Sequence, residues 1–249
     1  MALGKENPLA QFTIDRLVPI HIGGVDASFT NSALLMVITG VLLTVLMLAA
    51  TRKRALVPSR WQSLPEMLYE FVAKSLIDDN IGPEGQRYFP FVFTLFMFVL
   101  FGNLLGLIPY SFTFTSHIIV TFGMSIVIFI AVTIIGIARH GFHFFTLFVP
   151  HGVPKPLLVL LVPIEILSYC IRPMTLAIRL FANMLAGHTM LVIFAGFVAP
   201  LATFYLVPAL FPILIDVLIF FLELLVAVLQ AFVFAILTCL YLNDSIHLH

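Results

Sequence analysis

The sequence has few charged residues. Only 10% of its 249 residues are Asp, Glu, Lys or Arg, whereas an ordinary soluble domain has about 25%. Basic and acidic residues number 12 each, and this zero net charge argues against the overall basic field used to bind nucleic acid. A soluble protein of this length could bury a core, but this chain has too few charges to cover the surface around one. The charge content therefore indicates a protein whose solvent is lipid.

Cysteine is equally scarce. Both cysteines, Cys170 and Cys239, lie inside apolar stretches, where they are interpreted as small hydrophobic residues rather than as a disulfide pair. Residues 1–12 contain no apolar segment of the kind found in a signal peptide. We therefore expect the first membrane span to direct insertion.

The apolar residues, 61% of the chain, come in long blocks. Blocks of about 20 residues are long enough for a helix to cross a bilayer. We predict an all-α polytopic membrane protein that forms a single membrane domain over residues 1–249. In chain order we expect a periplasmic lead (1–32), span 1 (33–51), an interfacial helix (62–80), span 2 (88–109), span 3 (117–138), and a long tilted hairpin (157–198 and 205–243).

The last two apolar runs are unusually long. At 1.5 Å per residue, about 40 residues extend to about 60 Å, roughly twice the thickness of the hydrocarbon core. Each run could split into two spans, but neither has a convincing polar turn near its middle. We therefore expect two long, tilted or bent helices that turn around Ala199-Pro200, which gives five spans in all.

The interfacial helix is predicted from an amphipathic pattern. Leu64, Met67 and Phe71 recur at helical spacing, while Glu66 and Glu70 point in other directions. The segment has too many charges to cross the bilayer, so we expect it to lie along the cytoplasmic membrane surface.

Positive residues predict the orientation of the chain. Arg52, Lys53 and Arg54 follow span 1, and Arg139 and His140 end span 3. Because basic residues accumulate on the cytoplasmic side of membrane proteins, we expect a periplasmic N-terminus and a cytoplasmic C-terminus.

Ionisable residues inside the last two apolar runs are the strongest functional signal. A charge at the bilayer centre costs about 2.5–3.5 kcal/mol on insertion scales, so such residues are functional candidates. Spacings of seven residues, nearly two helical turns, place them in one polar stripe on each helix. The first stripe contains Glu165, Arg172, Arg179 and Asn183, and the second contains Asp216, Glu223 and Gln230. The stripes face each other, a partner or water, and pairing across the hairpin remains an alternative explanation for them.

Two of the candidate roles differ in kind. His188 and Glu223 could form a proton relay, since the pKa of imidazole is close to neutral, although a lone histidine can also simply pack. Arg179 cannot relay protons because arginine does not deprotonate in proteins. A fixed positive charge there could bind a passing carboxylate and block ion leakage, which requires a partner with a carboxylate in the membrane.

Two segments resemble the signature motifs of a known family. Residues 179–188 (RLFANMLAGH) resemble the motif of subunit a of F-type ATP synthases, which reads Arg-Leu-Phe-(Gly/Ala)-Asn-Met-x-(Ala/Ser)-Gly-(Glu/His). Residues 223–232 (ELLVAVLQAF) resemble the motif in the last helix of that family. Some members have Glu where this chain has His188 and His where it has Glu223. The reversed pair here resembles the mitochondrial and related bacterial type.

The resemblance implies a role in the membrane sector of a rotary ATP synthase of the bacterial inner membrane. It implies a non-catalytic stator subunit, without a cofactor, that contacts c-ring subunits, b-type stator subunits and the rest of the complex. The residue matching Arg179 separates two aqueous half-channels, while those matching His188 and Glu223 belong to the periplasmic access path. Asn183 and Gln230 line the neighbourhood of the arginine. Glu165, Arg172 and Asp216 complete the candidate set for proton translocation.

Other functions remain as alternatives. A self-contained channel or secondary transporter could use the same stripes, but internal repeats are absent. An intramembrane metalloenzyme could use His140, His143 and His151, but no nearby acid and no HExxH motif supports it, and a solvated loop explains these residues better. We expect protons rather than sodium ions, because a His/Glu pair suits a proton path, but the ring site largely determines which ion is used.

Overall fold

The computed structural model describes residues 13–19, 21–22, 25–26, 28–51, 60–108, 112–149, 155–204 and 206–247. Helices dominate this part of the chain, and the predicted all-α membrane fold is confirmed. The α-helices are α1 (Asn31–Thr51), α2 (Arg60–Glu70), α3 (Phe89–Gly106), α4 (Ile118–His140), α5 (Lys155–Phe204) and α6 (Leu206–Ile246). Within the described residues, five helical segments are long and apolar enough to cross a membrane.

The described part of the N-terminal lead contains four short strands. β1 (Arg16–Val18) pairs antiparallel with β4 (Phe29–Thr30), and β2 (His21–Ile22) pairs with β3 (Val25–Asp26). The strands contain Val, Ile and Phe, which favour extended structure once they are paired. β4 leads directly into α1, whose first residue, Asn31, donates its backbone N–H to the Asp15 carbonyl oxygen over 3.1 Å.

The apolar helices satisfy their own polar groups. A bilayer interior offers no water, so each span must pair its backbone groups internally. Threonine hydroxyls follow the same rule by donating to the carbonyl oxygen four residues earlier: Thr39 to Leu35, Thr133 to Phe129 and Thr238 to Phe234, over 2.7–2.8 Å. Hydroxyl groups inside the spans are therefore compatible with lipid.

The segment predicted to lie at the interface is helical but changes its pitch. α2 continues as a π-helix over Phe71–Asp78. Val72, Ala73, Leu76 and Ile77 are all buried, and their spacing of four and five residues suits the i→i+5 hydrogen bonding of a π-helix. In α2 itself the apolar side chains of Leu64 and Met67 remain exposed. The position of this segment at a membrane surface stays a prediction.

The last two apolar runs form two continuous helices, α5 with 50 residues and α6 with 41. The turn expected around Ala199-Pro200 is not present, because α5 continues to Phe204. Proline weakens a helix but does not always end it, since membrane helices tolerate its missing hydrogen bond. At 1.5 Å per residue α5 is about 75 Å long, so in a bilayer it must tilt strongly or extend beyond the hydrocarbon.

The chain divides into two compact units. One unit combines residues 1–46, 97–117 and 180–231, and the other combines residues 47–96, 118–179 and 232–249. Within the second unit, Ser125 of α4 donates to the Pro173 carbonyl oxygen over 2.6 Å, and the Thr133 and Tyr169 hydroxyls lie 2.8 Å apart. Residues 52–54, the strongest positive cluster, lie outside the described residues, so the orientation stays a prediction.

Candidate functional site in the last two helices

His188 and Glu223 form the centre of the candidate site in the first unit. His188 lies on α5 and Glu223 on α6, and their Nε2 and Oε1 atoms are 3.6 Å apart. Glu223 is 1% exposed and His188 is 9% exposed. Neither carboxylate oxygen of Glu223 accepts a hydrogen bond from a described residue. The structure thus brings an imidazole and an unsatisfied carboxyl group together inside an apolar helical hairpin.

Gly187 allows this close approach. A methyl group at position 187 would lie 2.6 Å from Glu223 Oε1 and 2.9 Å from its carboxyl carbon. Any other residue would therefore push the carboxyl group away from α5. The Ala-Gly-His sequence at 186–188 places the smallest residue beside His188, so that α5 and the Glu223 side chain can touch.

Thr113 extends the site, although the sequence analysis did not single it out. Its Oγ1 lies 3.0 Å from His188 Nε2 and 3.2 Å from the Gly106 carbonyl oxygen. Thr113 is buried and precedes a single 3₁₀ turn, Phe114–Ser116. Its polar surroundings in the sequence indicate only a connecting turn, so nothing local points to a histidine 75 residues away.

Asn103 is a second residue that the sequence analysis missed. Its side chain is fully buried in α3, and Nδ2 donates to the Ala227 carbonyl oxygen over 3.3 Å, one turn beyond Glu223 on α6. Its Oδ1 is buried without a hydrogen-bond partner among the described residues. The sequence did contain a signal, because a lone amide inside an apolar span is costly and typical of functional sites.

Arg172 belongs to a separate cluster in the second unit. Its Nη1 lies 2.8 Å from Asp244 Oδ2, and its guanidinium carbon lies 5.4 Å and 5.2 Å from the ring centres of Tyr169 and Tyr241. This combination of an ion pair and two cation–π contacts joins α5 to the end of α6. Pairing across the hairpin, the alternative kept open for the stripes, thus accounts for Arg172 but with Asp244 as its partner.

Arg179 differs from Arg172. Its side chain is exposed, and it forms no ion pair or hydrogen bond with any residue that the structure describes. A cation in the middle of an apolar helix needs a partner or water.

The other predicted residues occupy varied surroundings. Gln230 is buried, Asn183 and Glu165 are half-buried, and Asp216 is half-buried with a buried Oδ1 that has no hydrogen-bond partner among the described residues. The structure places Asp216, Glu223 and Gln230 on α6 of the first unit with Asn183 and His188 of α5. Glu165 and Arg172 belong to the second unit, as does Arg179.

Histidines elsewhere make structural contacts. His140 Nε2 lies 2.9 Å from the Ile246 carbonyl oxygen, and His151 lies outside the described residues. Within the described ranges, no three His, Cys, Asp or Glu side chains are arranged to hold a metal ion. His117, just before α4, stacks on Phe112 at 4.9 Å, and burial lowers the pKa of its imidazole because the charged form is poorly solvated there.

Comparison with known proteins identifies the family. The sequence model of the ATP synthase A chain family matches residues 33–243. The chain is 53% identical to ATP synthase subunit a of Paramagnetospirillum magneticum over 246 residues, covering 98% of this chain and 99% of that protein. It is 54% identical to ATP synthase subunit a of Rhodospirillum rubrum, again over 98% and 99% of the two chains, and 54% identical to that of Mesorhizobium japonicum over 99% of each. The resemblance found in the two sequence motifs is thereby confirmed, and the chain belongs to the ATP synthase A chain family.

Proposed function

We propose that this chain is the stator subunit that carries protons through the membrane sector of an ATP synthase and couples their passage to rotation of a c-ring. As an ATP synthase A chain, it is a proton-transporting membrane subunit of that complex. The finer mechanism has three parts: two aqueous half-channels, a relay and a fixed positive charge. The single observation that carries the proposal is the buried pair of His188 and Glu223.

The pair has the chemistry of a proton relay. Imidazole takes up and releases protons near neutral pH, and a carboxyl group 3.6 Å from Nε2 needs only a small movement to exchange a proton with it. Glu223 has both oxygens available, because no described residue donates a hydrogen bond to either. Buried Asn103 Oδ1 and Asp216 Oδ1 are likewise unsatisfied by described residues, and water binds at buried polar atoms of this kind. These groups supply a polar route to the relay.

Arg179 supplies the fixed charge. It cannot lose its proton, so it can attract a carboxylate but cannot pass a proton along. Its exposed side chain and lack of a described partner leave it able to bind a carboxylate presented by another subunit. A ring of c subunits, each with a membrane carboxylate, fits this requirement. The positive charge between the half-channels would also repel protons that bypass the ring.

ATP chemistry is assigned to other subunits. The sequence contains no Gly-rich loop ending in Lys-Ser or Lys-Thr, the motif that cradles phosphates in many ATPases. The chain would therefore act without catalysing a reaction itself, in the bacterial inner membrane beside c-ring and b-type stator subunits. A self-contained channel or transporter is the competing function, and it requires no ring.

Replacing Arg179 tests the proposal. The complex carrying Arg179→Ala would be reconstituted in liposomes, and ATP-driven acidification and passive proton flux would be measured. We expect pumping to be lost with the complex still assembled, and passive flux through the membrane sector to rise. Arg87→Ala is the matched control, because Arg87 is also exposed and has no ion pair among the described residues. Normal pumping by Arg179→Ala would reject the mechanism and favour the transporter.

A further inference from the structure

Thr113 holds an unusual position beside the relay. Its hydroxyl oxygen contacts His188 Nε2 at 3.0 Å and the Gly106 carbonyl oxygen at 3.2 Å. A carbonyl oxygen only accepts hydrogen bonds, and a hydroxyl has a single proton to donate. Both contacts can be hydrogen bonds at the same time only if Thr113 donates to Gly106 and accepts a proton from His188. That arrangement requires the proton of neutral His188 to be on Nε2.

The surroundings hold Thr113 in this orientation. Its side chain is 3% exposed. A methyl group at position 106 would lie 2.6 Å from Thr113 Cγ2 and 2.8 Å from its Oγ1, so glycine is required there for the contact. Ser116 Oγ donates to the Thr113 carbonyl oxygen over 2.6 Å and fixes the backbone on the other side. The hydroxyl therefore has little freedom to turn towards another partner.

We propose that Thr113 is a positioning residue that fixes His188 as the Nε2–H tautomer and holds the imidazole with Nε2 3.6 Å from Glu223 Oε1. The inference rests on the proposed relay and deepens it. In the transfer, Nδ1 of His188 binds an incoming proton, and Nε2 releases its own proton to Glu223 Oε1, 3.6 Å away. The imidazole ring of His188 therefore gains one proton and loses one. The resulting Nδ1–H form returns to the Nε2–H form by exchange through water, which neither adds nor removes a proton.

Two substitutions separate the effect of the Thr113 hydroxyl group from the effect of the size and shape of its side chain. Thr113→Val keeps the shape and removes the hydroxyl, whereas Thr113→Ser keeps the hydroxyl and removes the methyl group. Thr115→Val is a matched control, because Thr115 is buried in the same turn and its Oγ1 has no hydrogen-bond partner among the described residues. If Thr113→Val prevents assembly, Thr113→Ala replaces it as the variant without a hydroxyl.

The experiment uses the whole ATP synthase complex with ¹⁵N-labelled histidine. Solid-state NMR reports the tautomer of His188, whose signals are assigned by their loss in His188→Gln. We expect the Nε2–H form in the wild type, Thr113→Ser and Thr115→Val, and a loss of this preference in Thr113→Val. We also expect the rate of ATP-driven proton pumping to fall by about fivefold in Thr113→Val, which is the change in rate that corresponds to losing one neutral hydrogen bond. In Thr113→Ser the pumping rate should stay near that of the wild type.

Two results would overturn the proposal. One is an unchanged tautomer in Thr113→Val, whatever its pumping rate. The other is a pumping defect in Thr113→Ser as large as that in Thr113→Val, which would show that Thr113 acts by packing. The tautomer measurement does not depend on pumping. Failure of this inference is therefore distinguishable from failure of the proposed function, which Arg179→Ala tests.

Discussion

At the residue scale, the geometry of the candidate site depends as much on a missing side chain as on His188 and Glu223. Gly187 lies beside His188, and the Glu223 carboxyl group occupies the space where a Cβ atom of residue 187 would be. In an ordinary helix, replacing glycine by alanine favours folding by about 0.5–1 kcal/mol. Here the same substitution meets the end of a flexible side chain, so its effect falls on the position of the carboxyl group.

Gly187→Ala should therefore impair proton transport more than stability. The added methyl group would displace Glu223 Oε1, which now lies 3.6 Å from His188 Nε2. We expect an at least tenfold lower rate of ATP-driven pumping in liposomes, since a proton transfer requires hydrogen-bond reach, about 2.6–3.2 Å, and that distance would grow. Gly196→Ala on the same helix is the control, because nothing lies within 4 Å of its added Cβ atom. Equal pumping by both variants would contradict the assigned geometry.

Single residues also show what the sequence could and could not predict. His188 and Glu223 could be predicted as candidates because ionisable groups are conspicuous in apolar runs. Thr113 could not, since a hydroxyl in a polar turn gives no indication of a contact 75 residues away. Asp244 lies near the end of α6, where it resembles a solvated terminal residue, so its pairing with Arg172 was also hidden. Long-range partners depend on how helices pack, and no local pattern records this packing.

At the scale of elements, the cluster around Arg172 holds α5 and α6 together within the second unit. The side chains of Arg172 and Asp244 are only 22% and 36% exposed, so water screens their attraction less than at an open surface. The rings of Tyr169 and Tyr241 add attraction for the guanidinium group. The pair of Glu84 and Arg139, at 52% and 38% exposed, provides a more solvated comparison.

A double-mutant cycle on Arg172→Gln and Asp244→Asn should reveal this coupling. We expect a coupling free energy of about 1–2 kcal/mol, as for a charge-assisted hydrogen bond that is partly shielded from water. SDS-induced unfolding of the purified subunit in mixed micelles would measure it. The parallel cycle on Glu84→Gln and Arg139→Gln should give a smaller coupling, because both side chains of that pair are exposed to water. Additive effects of Arg172→Gln and Asp244→Asn would refute the coupling.

α2 has an exposed apolar face. Leu64 and Met67 are 52% and 64% exposed, while Glu66 and Glu70 are exposed at other angles of the same helix. An apolar face beside a charged one is typical of a helix lying in a membrane surface. The pattern could be predicted from the sequence. The π-helix that follows could not, because its four- and five-residue spacings differ little from α-helical ones over a single turn.

Spin labels should locate this face. In a background with Cys170→Ser and Cys239→Ser, cysteine would replace Leu64, Met67, Glu66 or Glu70 in the assembled complex. We expect labels at Leu64 and Met67 to be relaxed more by oxygen, which concentrates in lipid, and labels at Glu66 and Glu70 more by a water-soluble nickel complex. Equal access to both relaxants at all four positions would contradict the interfacial placement, and so would exclusion of both from Leu64 and Met67.

At the scale of the whole molecule, the proposed stator role is compatible with the energetics of proton-driven ATP synthesis. One charge that crosses 100 mV yields about 2.3 kcal/mol, so several protons are needed for each ATP. A single arginine on a stator helix can serve many carboxylates in succession if those carboxylates are on a rotating ring. The stator then needs few charges, which agrees with a chain that has only 10% charged residues. The low charge content thus indicates that lipid surrounds this protein, and it is compatible with the proposed stator role.

The orientation of the molecule decides on which side of the membrane each proposed half-channel opens, and labelling from one side of the membrane would test this orientation. Single cysteines would replace Asp15, His143 or His247 in the Cys170→Ser, Cys239→Ser background. A membrane-impermeant maleimide added to spheroplasts should label Asp15→Cys at once, because β1 and its flanking residues are predicted to be periplasmic. It should label His143→Cys and His247→Cys only after the membrane is permeabilised, since Arg139 and His140 predict a cytoplasmic end for α4. The reverse labelling pattern would invert the direction of proton entry through His188 and Glu223, and equal labelling of all three positions in intact spheroplasts would refute the five-span topology.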